Sequence, residues 1–260
     1  MKAVILAGGY GTRILEQSQF KPKPMIEIGN MPILWHIMKG YSFYGINDFI
    51  ICAGYKQNVI KEWFADYYLN TCDVTFDFSA DDNRIQVHNK RSEKWRVTVV
   101  DTGLDTMTGG RIKRIKSFVN DEPFYLTYGD AVSDIDINEL TKYHCSHGKC
   151  MTLTAIDLVQ QKGLLDIGKD GTVSSFREKE ELDSSLINGG FMVCNPQIFD
   201  YIKDDSTVFE KEPMRMLASR GELKSYYHRG FWQCMDTQRE NEFLQKLWNE
   251  GKAPWKIWSD

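Results

Sequence analysis

Lys2-Ala3-Val4-Ile5-Leu6-Ala7-Gly8-Gly9-Tyr10-Gly11-Thr12-Arg13, followed at a short distance by Lys21-Pro22-Lys23-Pro24-Met25, is the stretch from which the fold can be read. Residues 3–7 form an unbroken apolar run, the length of a strand buried on both faces of a parallel sheet. The run discharges into a loop with glycine at 8, 9 and 11. Without Cβ atoms, such a loop can bring backbone N–H groups against a phosphate. Arg13 and Lys23 set fixed positive charge beside it. Strand, glycine loop and cations together point to a nucleoside triphosphate. The dinucleotide-binding fingerprint does not fit, because it needs glycine where Ile14 stands. The Walker loop does not fit either, because Gly11-Thr12-Arg13 replaces its Gly-Lys-Ser/Thr.

Outward from that stretch, strand and helix signals alternate, the pattern of a parallel α/β sheet. Helices are expected over 33–44, 59–68, 110–118, 138–147, within 205–220, and over 238–250. Strands are expected over 48–52, 74–78, 96–101, 124–128, 151–156 and 223–228, with a polar loop at 79–84. The segments from 172–176 through 190–194 read as antiparallel strands near an edge. The fold class is therefore α/β: a mostly parallel, Rossmann-like sheet flanked by helices, with a small antiparallel edge region. The tail from 251 to 260 carries Trp255 and Trp258, which should dock on the same subunit or on a neighbour.

The 260 residues, 42% of them hydrophobic, suffice for one large core. A net charge of −4 with no basic block argues against nucleic acid as a partner. No apolar run reaches the length of a membrane span, and the N-terminus opens directly on a strand with no signal-peptide pattern. The six cysteines form no CxxC pair, and the spacing in His144-Cys145-Ser146-His147-Gly148-Lys149-Cys150 matches no standard zinc site. Free thiols and surface imidazoles in a reducing cytoplasm are the expectation there.

The loop Gly8-Gly9-Tyr10-Gly11-Thr12-Arg13 and the segment Lys21-Pro22-Lys23-Pro24-Met25 resemble the signature of the sugar-1-phosphate nucleotidyltransferases. Further segments resemble, more narrowly, the glucose-1-phosphate cytidylyltransferases. They include Pro32-Ile33-Leu34-Trp35-His36, Val100-Asp101-Thr102-Gly103, Thr108-Gly109-Gly110-Arg111, Tyr128-Gly129-Asp130, Asn188-Gly189-Gly190-Phe191, Met235-Asp236-Thr237 and Lys252-Ala253-Pro254-Trp255. The matches span the chain in one order. The resemblance implies a single nucleotidyltransferase domain over 1–260. Its nucleotide-binding half covers about 1–150, its sugar-phosphate half about 151–240, and a C-terminal helix and tail cover 241–260. It implies Mg²⁺ as cofactor, CTP and a sugar phosphate as partners, a cytoplasmic homo-oligomer, and CDP-glucose made for surface polysaccharide.

The implied reaction is attack of a sugar 1-phosphate oxygen on the α-phosphorus of CTP. A phosphate monoester has a second pKa of about 6, so the nucleophile is already an anion and no general base is required. Cations, a metal site and backbone donors are required instead. Arg13 follows the glycine loop and is expected at the β- and γ-phosphates, and Lys23 at the α-phosphate. Asp130 ends a buried strand, where ligands of open α/β sheets bind. A second carboxylate converging on it suits Mg²⁺, and the resemblance supplies Asp236. Asp134 and Asp136 read as solvated loop or helix-start charges. The resemblance implies nucleotide contacts at Leu6, Ala7, Gly8, Gly9, Gly11, Thr12, Thr108, Gly109, Gly110 and Arg111. The glycines at 109 and 110 would admit close approach of backbone to base and ribose, and Thr108 also reads as a helix N-cap.

On the acceptor side the resemblance implies Gly163, Asp166, Glu178, Lys179, Asn188 and Gly189, with Lys179 on the sugar phosphate. Two departures stand there. Val159-Gln160-Gln161-Lys162 replaces a Pro-Gly-Arg-aromatic run, and Glu180 replaces a proline. Another sugar phosphate, or a polyol phosphate such as a glycerol phosphate, is therefore a second reading of the acceptor. A subunit that binds nucleotide without turnover is a third reading, disfavoured by the joint presence of Arg13, Lys23, Asp130 and Asp236. Tyr10 stands where the family has a smaller aliphatic residue.

Overall fold

A computed structural model describes residues 1–11, 20–79, 84–88, 93–119, 121–158, 164–167, 173–177 and 185–259. Its strands are β1 (Ala3–Ala7), β2 (Glu27–Ile28), β3 (Met31–Pro32), β4 (Asp48–Ala53), β5 (Asp73–Asp77), β6 (Arg84–His88), β7 (Arg96–Asp101), β8 (Phe124–Tyr128), β9 (Ala131–Ser133), β10 (Met151–Leu158), β11 (Leu164–Ile167), β12 (Val173–Arg177), β13 (Ser185–Cys194), β14 (Leu223–His228) and β15 (Trp232–Cys234). The α-helices are α1 (Ile33–Phe43), α2 (Gln57–Ala65), α3 (Tyr67–Thr71), α4 (Thr108–Arg114), α5 (Lys116–Val119), α6 (Ile137–His147), α7 (Glu212–Ser219) and α8 (Gln238–Asn249).

Seven strands form the central sheet in the order β14-β10-β13-β8-β1-β4-β7. Pairings β8–β1, β1–β4, β4–β7 and β10–β14 are parallel, and only β13 runs against its neighbours. β1 lies between β4 and β8 with all five residues buried, which explains its unbroken apolar run. Strand alternation divides the core in two. Ala3, Ile5, Ala7, Phe49 and Ile51 pack with Ile33, Leu34, Ile37 and Met38 of α1. Val4, Leu6, Ile50 and Cys52 pack on the other face with Ile112 and Ile115.

The mostly parallel α/β expectation holds, with local corrections. β13 is antiparallel as expected but interior to the main sheet, between β10 and β8, with Met192–Cys194 paired to β8. β5 leaves the main sheet and pairs antiparallel with β6, which starts at Arg84, where a loop was expected. The helix expected over 110–118 starts at Thr108 and is divided by Ile115 into α4 and α5. The short β9–β15 ribbon was not anticipated. Three residues per strand are too few for a periodic signal.

The two tail tryptophans dock on their own chain. Trp255 and Trp258 are 2% and 7% exposed and surround His36 of α1 together with Trp35 and Trp248. His36 Nε2 donates to Ile28 O at 2.9 Å, and Trp255 Nε1 donates to His36 Nδ1 at 3.3 Å. Burial pushes the imidazole pKa down to about 4, so the ring is neutral in this aromatic nest.

Candidate active site

A cavity of about 470 Å³ opens at the carboxyl end of the sheet, between the loops that follow β1, β7 and β8. Its size is that of a small-molecule site. At one side Lys23 projects from a 3₁₀ turn, Lys23–Met25, entered through Pro22. Prolines at 22 and 24 restrict the backbone on either side of this lysine. Lys23 Nζ donates to Asp130 Oδ2 at 2.6 Å and also to Asp236 Oδ1.

The β9–β15 ribbon makes this meeting possible. Ala131 lies opposite Cys234 and Ser133 opposite Trp232, and the N–H of Met235 donates to Asp130 O at 2.8 Å. The two aspartates thus flank the end of one short ladder. Asp236 is fixed a second time, since its N–H donates to Glu240 Oε2 at 2.7 Å, within the capping box that starts α8. Burial alone would lower the Lys23 pKa; Asp130 and Asp236 outweigh it and hold the ammonium above its ordinary value. The cluster is therefore two carboxylates on one charged amine.

Each glycine of the first loop has its own reason. A Cβ at Gly8 would collide with the Arg111 guanidinium, and Gly11 has φ +67°. Among the described residues a Cβ at Gly9 would meet no atom within 4 Å, and Gly9 lines the cavity. Packing among the described residues gives no reason for glycine at 9, whereas close approach of a ligand to the backbone would.

Arg111 lines the cavity, and its guanidinium also bonds the scaffold. Nη1 donates to Thr102 Oγ1 at 2.8 Å and Gly103 O at 2.7 Å, and Nη2 to Leu104 O at 3.1 Å. The side chain braces the loop after β7 from beneath. Thr108 is not the N-cap of α4; Met107 holds that position. The Thr108 hydroxyl donates to Glu210 Oε2 at 2.6 Å and accepts from the N–H of Phe209 at 2.9 Å. Gly109 and Gly110 make their close approach to protein: added Cβ atoms would lie 2.7 Å from Thr207 O and 2.5 Å from Asp205 Cα. Leu6 and Ala7 also line the cavity.

On the acceptor side, Asn188 Oδ1 accepts from the N–H of Gly190 at 2.9 Å, and Gly189 O accepts from Trp232 Nε1 at 2.7 Å. Asp166 lies on β11, with its backbone opposite Ser175. Thr12, Arg13, Gln160, Gln161, Lys162, Gly163, Glu178, Lys179 and Glu180 lie outside the described residues.

Asp136 is a helix-start charge as expected, its Oδ1 accepting from the N–H of Glu139 at 3.0 Å. Asp134 is not simply solvated: its Oδ1 lies 2.9 Å from His228 Nε2. His144 is not a surface imidazole either. It is 3% exposed, with Nδ1 2.8 Å from Thr152 Oγ1. All six cysteines are free.

Sequence reasoning missed several members of the cavity wall. The loop of residues 104–107 had no motif, although Gly103 at φ +86° marks its start. Tyr128 lines the cavity and donates to Glu210 Oε1 at 2.6 Å, so Glu210 ties it to Thr108.

A family model described as nucleotidyl transferase matches residues 2–260. Glucose-1-phosphate cytidylyltransferase from Salmonella typhimurium is 56% identical over 259 residues, covering 99% of this chain and 100% of that protein. The protein of the same name from Salmonella typhi has the same identity and coverage. Among solved structures, HddC from Yersinia pseudotuberculosis superposes with a TM-score of 0.68 at 21% identity, over 95% of this chain and 99% of that one. A UDP-glucose pyrophosphorylase in complex with UDP-glucose gives 0.68 at 16% identity, over 96% and 98%. These two likenesses show the fold. Among the described residues no helix is long and apolar enough to cross a membrane.

Proposed function

The chain belongs to the nucleotidyl transferase family, and from that premise we propose that it transfers a cytidylyl group from CTP to glucose 1-phosphate, releasing pyrophosphate. The observation that carries the reading is the convergence of Lys23, Asp130 and Asp236 beside a glycine loop whose Gly9 lines the cavity. The full-length likeness to the Salmonella cytidylyltransferases supports CTP as donor and glucose 1-phosphate as acceptor.

The chemistry asks for charge neutralisation and alignment. Two polyanions must approach with the attacking and leaving oxygens in line. Backbone N–H groups of the glycine loop supply fixed donors at no cost in reorganisation. Lys23, already charged and held in place, meets the negative charge that grows on the α-phosphate. Arg13 is assigned to the leaving pyrophosphate. The acceptor residues Gly163, Asp166, Glu178, Lys179, Asn188 and Gly189 are assigned to the sugar phosphate.

The donor set fits Mg²⁺. Among the described residues no group of three or more His, Cys, Asp or Glu could hold a metal. A zinc site asks for three or four protein ligands, whereas Mg²⁺ takes one or two carboxylates and completes its shell with water and phosphate. Asp130 and Asp236 already converge on one cation, the Lys23 ammonium. Mg²⁺ held by these two would neutralise phosphate charge. Free thiols throughout support a cytoplasmic setting. Exposed Phe76, Phe78 and Ile85 beside or on the β5–β6 hairpin support a homo-oligomer.

The deciding experiment is pyrophosphate release from purified protein with Mg²⁺, across four nucleoside triphosphates and a panel of sugar and polyol phosphates. CTP with glucose 1-phosphate should give the highest kcat/KM. A preference for a glycerol phosphate would move the acceptor, and no turnover with any pair would overturn the reading.

A further inference from the structure

The cavity holds a second polar pair besides the Lys23 cluster. Tyr10, in the glycine loop, donates its hydroxyl to Asp105 Oδ1 at 2.7 Å, and both residues line the cavity. We propose that Tyr10 and Asp105 read the hydrogen-bonding edge of the nucleobase and select cytosine over uracil. The proposal rests on CTP being the nucleotide and names the residues that choose it.

Strand order places the pair where a base belongs. Adjacent along the sheet are β8, β1, β4 and β7. Asp130 follows β8, the glycine loop follows β1, Tyr55 follows β4, and Asp105 lies in the loop after β7. Neighbouring strands are about 4.8 Å apart, so the ends of β8 and β7 are separated by roughly 14 Å. A nucleotide with its reacting phosphate beside Lys23 and its phosphates along the glycine loop directs its base toward the β7 side.

Both members of the pair are braced. The Tyr10 ring lies 5.3 Å from the Tyr55 ring, and the N–H of Tyr55 donates to Gly8 O at 3.2 Å. On the other side Arg111 holds the carbonyls of Gly103 and Leu104, immediately before Asp105. Supports of this kind keep a recognition group in place before the ligand arrives.

The chemistry of the pair is directional. An ionised Asp105 only accepts, whereas the Tyr10 hydroxyl can donate. Cytosine presents an exocyclic amino donor next to the N3 acceptor. Asp105 can accept from the amino group while the Tyr10 hydroxyl turns to donate to N3. Uracil reverses both roles and sets its O4 against the carboxylate. It satisfies the pair only if the ring shifts along its edge, which would misalign the ribose. The expected discrimination is therefore the tenfold order of one good base contact.

The test is steady-state kcat/KM for CTP and for UTP, with glucose 1-phosphate, in wild type, Tyr10→Phe and Asp105→Asn. In each variant the CTP-to-UTP ratio should fall by about tenfold, with UTP gaining outright in Asp105→Asn because an amide can donate to O4. A pair that merely latches two loops would weaken both nucleotides equally, so an unchanged ratio in either variant overturns the inference. Wild type that fails to use CTP overturns the functional reading instead, which keeps the two failures apart.

Discussion

Lys23 and Asp236 lie 213 residues apart in sequence and are joined by a direct side-chain hydrogen bond, with Asp130 on the same ammonium. One cation therefore stands against two anions in a half-buried setting. Removing Lys23 leaves two facing carboxylates without their cation, whereas removing either aspartate leaves a one-to-one ion pair.

Lys23→Ala should lower kcat and kcat/KM together, because its contact strengthens as charge develops on the α-phosphate. Losing one such stabiliser costs about 3 kcal/mol, or about two to three orders of magnitude in rate. Initial-rate kinetics at varied CTP check this; an effect confined to KM would make Lys23 a binder of the ground state only.

Asp130→Asn and Asp236→Asn should each abolish turnover at ordinary Mg²⁺, with partial recovery at high Mg²⁺ or Mn²⁺. Titrating metal against rate in each variant is the measurement. Full turnover in either variant would remove that residue from the metal site.

Acid should loosen the tail before the core. The His36 pKa is depressed to about 4 from an unfolded value of 6.5. Between those values the unfolded chain binds the extra proton, so this contribution is full above about pH 6.5, declines as pH falls and is gone near pH 4. The cost is about 3 kcal/mol. Tryptophan fluorescence should shift to the red between pH 6.5 and 4.5 as Trp255 and Trp258 leave the ring. A His36→Gln variant should show a smaller change in Tm between pH 7 and 5 than wild type.

Thiol labelling should be selective. Burial pushes the Cys52 and Cys234 thiols up to about 12 and Cys150 up to about 11, so they stay protonated at pH 8. Cys145 is exposed. Iodoacetamide on the native protein, read by peptide mass spectrometry, should modify Cys145 well ahead of these three, and urea should abolish the difference.

What the chain discloses by itself is what its local chemistry dictates. β1 is legible because burial on both faces demands an unbroken apolar run, and its loop because glycine is a backbone instruction. Lys23, Asp130 and the positions of the main helices were legible for similar reasons. Asp236 was found only through the resemblance, since nothing in residues 232–237 announces a partner at 131–133. Residues 104–107 and Glu210 were invisible, because a polar loop has no periodicity and its role is set by whatever stands opposite. Gly109 and Gly110 were noticed for a ligand, and their structural use is the backbone at 205–207. Arg111 was an expected nucleotide contact through the resemblance, and it also holds the carbonyls of the loop that carries Asp105.

The β9–β15 ribbon has a consequence for how the protein comes into being. Its ladder has three residue pairs, flanked by the Met235 N–H to Asp130 O and Asp134 N–H to Phe231 O bonds, and β15 lies in the last thirty residues. A nascent chain could complete β1, its glycine loop and Lys23 early, yet Asp130 would face Lys23 alone until β15 is made and docked. Fraying of the C-terminal segment would undo the same step in the mature protein, because short ladders open at less than the global free energy. Turnover is thus a sensor of finished assembly, and it should vanish on partial unfolding before the seven-stranded sheet registers any loss.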